Sequence, residues 1–350
     1  MGACLGRFGQ LVAATTMALS LAATLAMAPA RAQEGATAAS SAFGETDFAM
    51  MVRTTIERQI RPAFTIFSER AARLSISTSM LCAAPDAAAL AAVREDFGTA
   101  VLAWSAVEFL RVGPMMDDHR LERLAFWPDP RGIGLRQVQA ALASGDETAA
   151  DPAALTQKSV AMQGLTALDY LLFGTAADDL AAPGAADYRC RYARAVAQNV
   201  SAMAEELEND WNRGEDGIAA LFEQPGPDNP LFQTSKEAAG EIFQQVATGL
   251  EIVADHKLKT ALGKSAATAK PKLAPFWRSG ATLPTIRANL EGLSALVEAS
   301  GALDRLGKSD RWLADAIRFE FRNAIDAARG STRRSRMWCG TRRCAIWPAT

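Results

Sequence analysis

The sequence predicts an all-α protein built as two helical-bundle domains. Three observations carry that prediction. Apolar residues recur at three- and four-residue steps along most of the chain, and no stretch shows the two-residue alternation of a strand. Hydrophobic residues make up 49% of the chain but aromatics only 7%, a balance that suits helix packing. At 350 residues the chain is long enough to fill two modest cores.

The first 32 residues stand apart. Arg7 precedes an apolar run from Leu11 to Met27, and the small-residue sequence Ala30-Arg31-Ala32 follows it, the pattern of a cleaved secretory signal peptide. A retained membrane anchor is the rival reading, although the run is Ala-rich and at the short end for spanning a bilayer. Residues 33–44, rich in Ala, Gly and Ser, read as a disordered leader. No later segment holds eighteen uninterrupted apolar residues. Once the signal is cleaved, the chain is therefore not expected to be an integral membrane protein.

The N-terminal bundle is assigned to residues 45–178. Met51, Val52, Ile56, Ile60, Phe64 and Phe67 line one face of its first helix, which Pro62 is expected to bend. A second helix runs from Asp86 to Val112, with Leu90, Val93, Phe97, Val101 and Trp104 on one face, and "GPMMDD" ends it. Two prolines and two glycines in "FWPDPRGIGLRQVQAAL" force an irregular loop before a short helix over 135–142. A helix from Asp151 to Phe173 closes this half, with a boundary near Gly174 to Gly184.

The C-terminal bundle is assigned to residues 179–329, with helices near 185–213, 234–262, 282–299 and 309–328 and Pro-rich links at "EQPGPDNP" and "KPKLAPFWRSG". A single irregular bundle is the alternative architecture. Residues 330–350 break the pattern: this basic string, with Cys339, Cys344 and two Trp, has neither period and reads either as a frameshift product or as a tail for an anionic surface.

The charge balance narrows the function. Of 37 bases, six arginines sit in the last 22 residues and two lie in the signal, which leaves 29 bases against 39 acids over residues 33–328, a net charge of -10. Nucleic acid is a poor partner for such a body, because phosphates call for clustered Lys and Arg. Of the cysteines, Cys82 and Cys190 each lie beside a predicted helix end, and in an oxidising compartment that pair is expected to form a disulfide. No CxxC pair occurs, so neither a zinc ribbon nor a thioredoxin-type site is supported.

Candidate chemistry gathers at a few acids. In "MQGLTALDYLLFG", residues 162–174, a narrow polar arc of Gln163, Thr166 and Asp169 interrupts an apolar segment. Asp169 lies among Leu165, Leu168, Leu172 and Phe173, where an unpaired carboxylate is costly, and Thr166 is one turn away. The arc is either the wet strip of a packed helix or the lining of a site. Glu108 continues the Phe97, Val101, Trp104 stripe, so an acid stands in line with core residues. Arg111, Arg120 and Arg123 are its candidate partners, and a structural ion pair and a functional carboxylate both stay open. His119, with Asp117, Asp118 and Glu122 close by, is a weak metal candidate together with Asp169 and Glu108; exposed mixed charges explain the cluster equally well. His256 stands near a helix end, where a basic residue suits the dipole. HExxH, GxSxG, a Walker loop and GxGxxG are all missing.

Three ordered blocks carry a family resemblance: "FWPDPRGIGLRQVQ" (126–139), "MQGLTALDYLLFG" (162–174) and "PFWRSGATLPTIRANLEGL" (275–293). Over about residues 45–328 the chain resembles the imelysin family, also called peptidase M75. That resemblance implies two helical bundles, export to the periplasm or cell envelope, and a place in the uptake of iron, another metal or haem, with envelope iron-uptake components as partners. The family's GxHxxE hallmark falls on Gly164 to Asp169 and is altered here. Gly164 is kept, Thr166 stands in the histidine place and Asp169 in the glutamate place. Losing the imidazole removes the best transition-metal ligand and general base of the motif, and Asp is one methylene shorter than Glu.

The first reading is therefore a periplasmic binding or accessory protein whose interhelical cleft holds Gly164, Thr166, Asp169 and Glu108, with Arg111, Trp127, Asp129 and Arg278 as outer candidates. A cell-envelope peptidase of the M75 type is the alternative, and a purely structural helical scaffold is a third reading.

Overall fold

The computed structural model describes residues 43–338 except Ala185, with side chains as far as Arg329. The signal expected over 1–32, nearly all of the expected leader, and residues 339–350 of the basic tail lie outside the described residues. Among the described residues there are helices and turns and no strand.

The first helix, α1 (Glu45–Thr55), runs through a π-helical turn at Ile56–Ile60 directly into α2 (Arg61–Ala83). Pro62 falls in the first turn of α2 and lacks the N–H that would bond back up the helix; the wider π turn absorbs that defect while the backbone stays helical on both sides. Next, α3 (Ala87–Ser105) is capped by Asp86, whose carboxylate accepts the Ala89 N–H at 2.7 Å.

Helix α3 stops at Ser105, short of the Val112 read from periodicity. The chain instead turns through residues 106–111, with Val107 donating to the Trp104 carbonyl and Leu110 to that of Val107. Val107, Phe109 and Leu110 are all buried there. A turn buried on every side keeps the apolar composition of a helix, which is why the pattern misleads. Gly292 shows what the turn packs against, since a Cβ on it would lie 2.6 Å from the Ala106 carbonyl oxygen.

Three short helices follow: α4 (Arg120–Leu124), α5 (Ile133–Ser144) and α6 (Pro152–Leu155). Then come a 3-10 turn at Val160–Met162 and α7 (Leu165–Phe173). The single helix expected from Asp151 to Phe173 is thus broken, and the break has a cause. Gln163 accepts from Arg123 Nε at 3.1 Å, and Gly164 is extended where the chain passes the end of α4; a Cβ there would sit 2.2 Å from the Arg123 carbonyl oxygen.

The remaining elements are α8 (Asp187–Asn212), α9 (Ile218–Glu223), α10 (Ser235–Glu251), a π-helical stretch at Ile252–Lys259, α11 (Thr260–Leu262), α12 (Thr282–Ser300) and α13 (Arg311–Trp338). Helix α13 carries on to Trp338, past the end expected at 328.

Helix α2 packs against both α3 and α8. Its buried residues Phe64, Phe67, Ala71, Leu74 and Leu81 recur at helical spacing. Phe67 meets Trp104 of α3 at 5.4 Å between ring centroids, and Phe64 stacks on Trp211 of α8 at 5.8 Å. Truncating either Phe costs about 3–5 kcal/mol. The expected Cys82–Cys190 disulfide is formed, tying the end of α2 to the start of α8. The main apolar cluster runs from Val52 to Phe321, on both sides of the Gly174–Gly184 stretch, and a smaller one gathers Val253, Ile286 and Leu290.

Candidate functional site

A cavity of about 600 Å³ opens between α5, α7, the loop ahead of α5 and the segment that leads into α12. Each wall follows from local sequence. The prolines and glycines of "FWPDPRGIG" bar a helix over 126–132, and Asp129 organises the resulting loop by accepting the Ile133 N–H at 2.7 Å and the Gly134 N–H at 2.9 Å. Trp127 Nε1 donates to the Leu273 carbonyl at 2.9 Å, which ties this loop to the opposite wall. Helix α7 contributes Thr166, Asp169, Tyr170 and Phe173; the segment ahead of α12 contributes Lys272, Phe276, Trp277 and Arg278.

Asp169 is only 2% exposed. Its Oδ1 accepts the Ser279 N–H at 3.2 Å, while its Oδ2 lies 3.8 Å from Arg278 Nη1, beyond hydrogen-bond reach. Burial pushes the Asp169 carboxyl above its ordinary value near 3.8, against the lowering pull of Ser279 and Arg278. Tyr170 is held between two cations, with the Arg278 guanidinium 5.3 Å and the Arg189 guanidinium 5.7 Å from its ring centroid. Arg278 also lies 4.5 Å over the Trp277 ring, and Lys272 Nζ is 5.7 Å from that same ring. Gly174 admits this arrangement, because a Cβ on it would strike the Tyr170 carbonyl and ring at 2.5 to 2.6 Å.

The structure sorts the residues singled out by sequence. Thr166, Asp169, Trp127, Asp129 and Arg278 line one cavity. Gly164 does not line it; the close passage of the chain beside Arg123 explains that glycine. Glu108 and Arg111 do not line it either. Glu108 is bonded to Lys257 Nζ and accepts from Asn289 Nδ2 at 2.7 Å, so its partner is a lysine far along the chain and none of Arg111, Arg120 and Arg123. Arg111 uses its backbone N–H on Gln245 Oε1 at 2.9 Å. His119 is exposed, next to Asp118, which pairs with Arg123 at 2.6 Å. Gln163 also leaves the arc, occupied by Arg123 and by the carbonyls of Thr156 and Lys158.

Sequence reasoning missed Tyr170, Lys272, Trp277 and Ser279. A signal for two of them was present in "PFWRSG", where an aromatic and a hydroxyl flank Arg278 inside a family-like block.

The cavity does not fit a resident metal ion. Both Asp129 oxygens accept backbone N–H groups, one Asp169 oxygen accepts Ser279, and two cations stand on the same wall. No imidazole or thiol lines the cavity, and among the described residues no group of three or more His, Cys, Asp or Glu side chains gathers to hold an ion.

The family model described as Peptidase_M75: Imelysin matches residues 60–337, so the chain belongs to the imelysin family. An imelysin-like protein from Psychrobacter arcticum 273-4 shares the fold with a TM-score of 0.65 and 14% identity, over 82% of this chain and 85% of that one. A Parabacteroides distasonis ATCC 8503 protein with the provisional name iron-regulated protein A precursor matches with a TM-score of 0.66 and 13% identity, over 84% and 88% of the two chains. Among curated proteins none matches. Within the described residues no helix is long and apolar enough to cross a membrane.

Proposed function

We propose that this chain is a binding or accessory protein of the cell envelope, exported to the periplasm, which holds a small ligand in the cavity around Asp169 in the service of iron or other metal uptake. One observation carries the reading. A carboxyl that is 2% exposed, held by the Ser279 N–H at 3.2 Å and facing Arg278 at 3.8 Å, stands at the wall of an aromatic cavity large enough for a small molecule. Burial makes the charged form of that carboxyl costly, and a bound molecule that hydrogen-bonds it offsets the cost. The name carried by the Parabacteroides relative supports the iron setting, with envelope iron-uptake components as partners.

The peptidase reading draws no comparable support. The hydroxyl-bearing residues on the cavity wall, Thr166, Tyr170 and Thr175, have no imidazole or thiolate beside them there.

A thermal-shift assay of the mature protein against fractionated periplasmic extract tests the binding reading. A fraction that raises the melting temperature of wild type, with the rise reduced in Asp169→Ala, is the expected result. No fraction acting, or equal shifts in both proteins, contradicts it. Casein cleavage by purified protein, abolished in Asp169→Asn, revives the peptidase.

A further inference from the structure

We infer that the ligand class of this cavity is a planar organic anion, an aromatic carboxylate that also carries a hydroxyl, and that the anion and not a metal cation is what the protein recognises. The inference rests on the cavity being a ligand site, as proposed above, and names what it takes.

The first support is aromatic enrichment. In a chain with only 7% aromatic residues, Phe126, Trp127, Tyr170, Phe173, Phe276 and Trp277 all line one cavity. Flat rings on several walls favour a flat apolar body, which gains both area burial and ring-to-ring contact.

The second support is charge. Lys272 makes no ion pair or hydrogen bond among the described residues, and the Arg278 guanidinium makes no hydrogen bond and reaches its nearest carboxylate only at 3.8 Å. Both cations lie over the Trp277 ring, and of the two only Arg278 faces an acid, Asp169 at 3.8 Å, so Lys272 leaves a positive charge unpaired beside that ring. A guanidinium stacked on rings keeps its N–H edge for a carboxylate, the geometry arginine satisfies with two parallel bonds.

The third support is polar groups left over at the wall. Thr166 makes no side-chain hydrogen bond among the described residues, and the Asp169 carboxylate on the same wall has the Arg278 guanidinium no nearer than 3.8 Å. Thr166 lies one helical turn before Asp169, so a ligand hydroxyl placed there meets both groups. A bare cation is disfavoured at the same place, since Arg278 and Lys272 repel it and the carboxylate oxygens are largely committed.

Isothermal titration calorimetry of the full mature chain decides the matter. The probes are 6-hydroxy-2-naphthoate, 2-naphthol, citrate, ferrous sulfate and zinc chloride, with EDTA present in the organic arms. The expected pattern is one-to-one binding of 6-hydroxy-2-naphthoate, at least about tenfold weaker binding of 2-naphthol, and no saturation with citrate or either metal. Arg278→Gln lowers the naphthoate affinity about tenfold or more, and Lys272→Gln, at an exposed position that leaves the fold undisturbed, lowers it less but measurably. Equal binding of naphthol and naphthoate, or no loss in either variant, overturns the inference. One-to-one binding of a metal that Asp169→Asn abolishes, with no naphthoate binding, overturns the anion while leaving the ligand cavity intact. No binding of any probe overturns the anion as well, and a silent extract screen beside it removes the cavity as a site.

Discussion

Asp169 and Glu108 entered as twin puzzles, two acids set among apolar neighbours, and their surroundings separate them. Glu108 is matched on the spot by Lys257, itself 1% exposed, and by Asn289. Lys257→Met strands a buried carboxylate and is expected to cost about 3–5 kcal/mol in urea denaturation, while adding Glu108→Leu recovers most of the loss. A Lys257→Met protein as stable as wild type contradicts the pairing. Asp169 is held more loosely, by the Ser279 N–H at 3.2 Å and by Arg278 at 3.8 Å. Unfolded, it titrates near 3.8; folded, burial holds the carboxyl above that value, so between the two the folded state binds the proton more tightly. Stability contributed by this group is full below about pH 4, falls as pH rises through the folded value and does not return above it. Asp169→Asn removes that fall. Melting temperatures from pH 3.5 to 8 are therefore expected to favour the Asn variant progressively as pH rises; a difference that stays constant with pH contradicts the burial account.

At the scale of elements, two joints fasten segments far apart in the chain. The disulfide pins α2 to α8 across a sequence separation of 108, and replacing both Cys82 and Cys190 by Ala is expected to lower unfolding stability by about 2–4 kcal/mol; no loss on chemical denaturation contradicts that role. The other joint is the passage at Gly164. A methyl group there meets backbone, which cannot yield as a side chain can, so Gly164→Ala is expected to cost about 3 kcal/mol, with unchanged stability as the contrary result. Such joints also mark how far the sequence could be read. Helices with one apolar face and a polar back, such as α2 and α8, show their period plainly. The turn at 106–111 and the break before α7 are buried from several sides, so their composition looks helical while their geometry is set by neighbours far along the chain. The same physics hides part of the cavity wall: Asp169 and Thr166 interrupt an apolar run and are visible in the sequence, whereas Ser279 meets Asp169 across 110 residues and leaves no local mark.

Across the whole molecule, an all-helical imelysin fold brings blocks from both halves of the sequence onto one cavity, at 126–139, 166–175 and 272–278. Thr166 and Asp169 line an aromatic hollow together with Arg278 and Lys272, and the proposal that this hollow holds a small organic ligand is the account's central claim. Native mass spectrometry of protein isolated gently from periplasm, for wild type and Trp277→Ala, tests this most directly. A small organic mass that stays with the wild-type chain, is released on denaturation and is lost from Trp277→Ala is the predicted result. A bare wild-type chain, or equal retention by both proteins, contradicts the account.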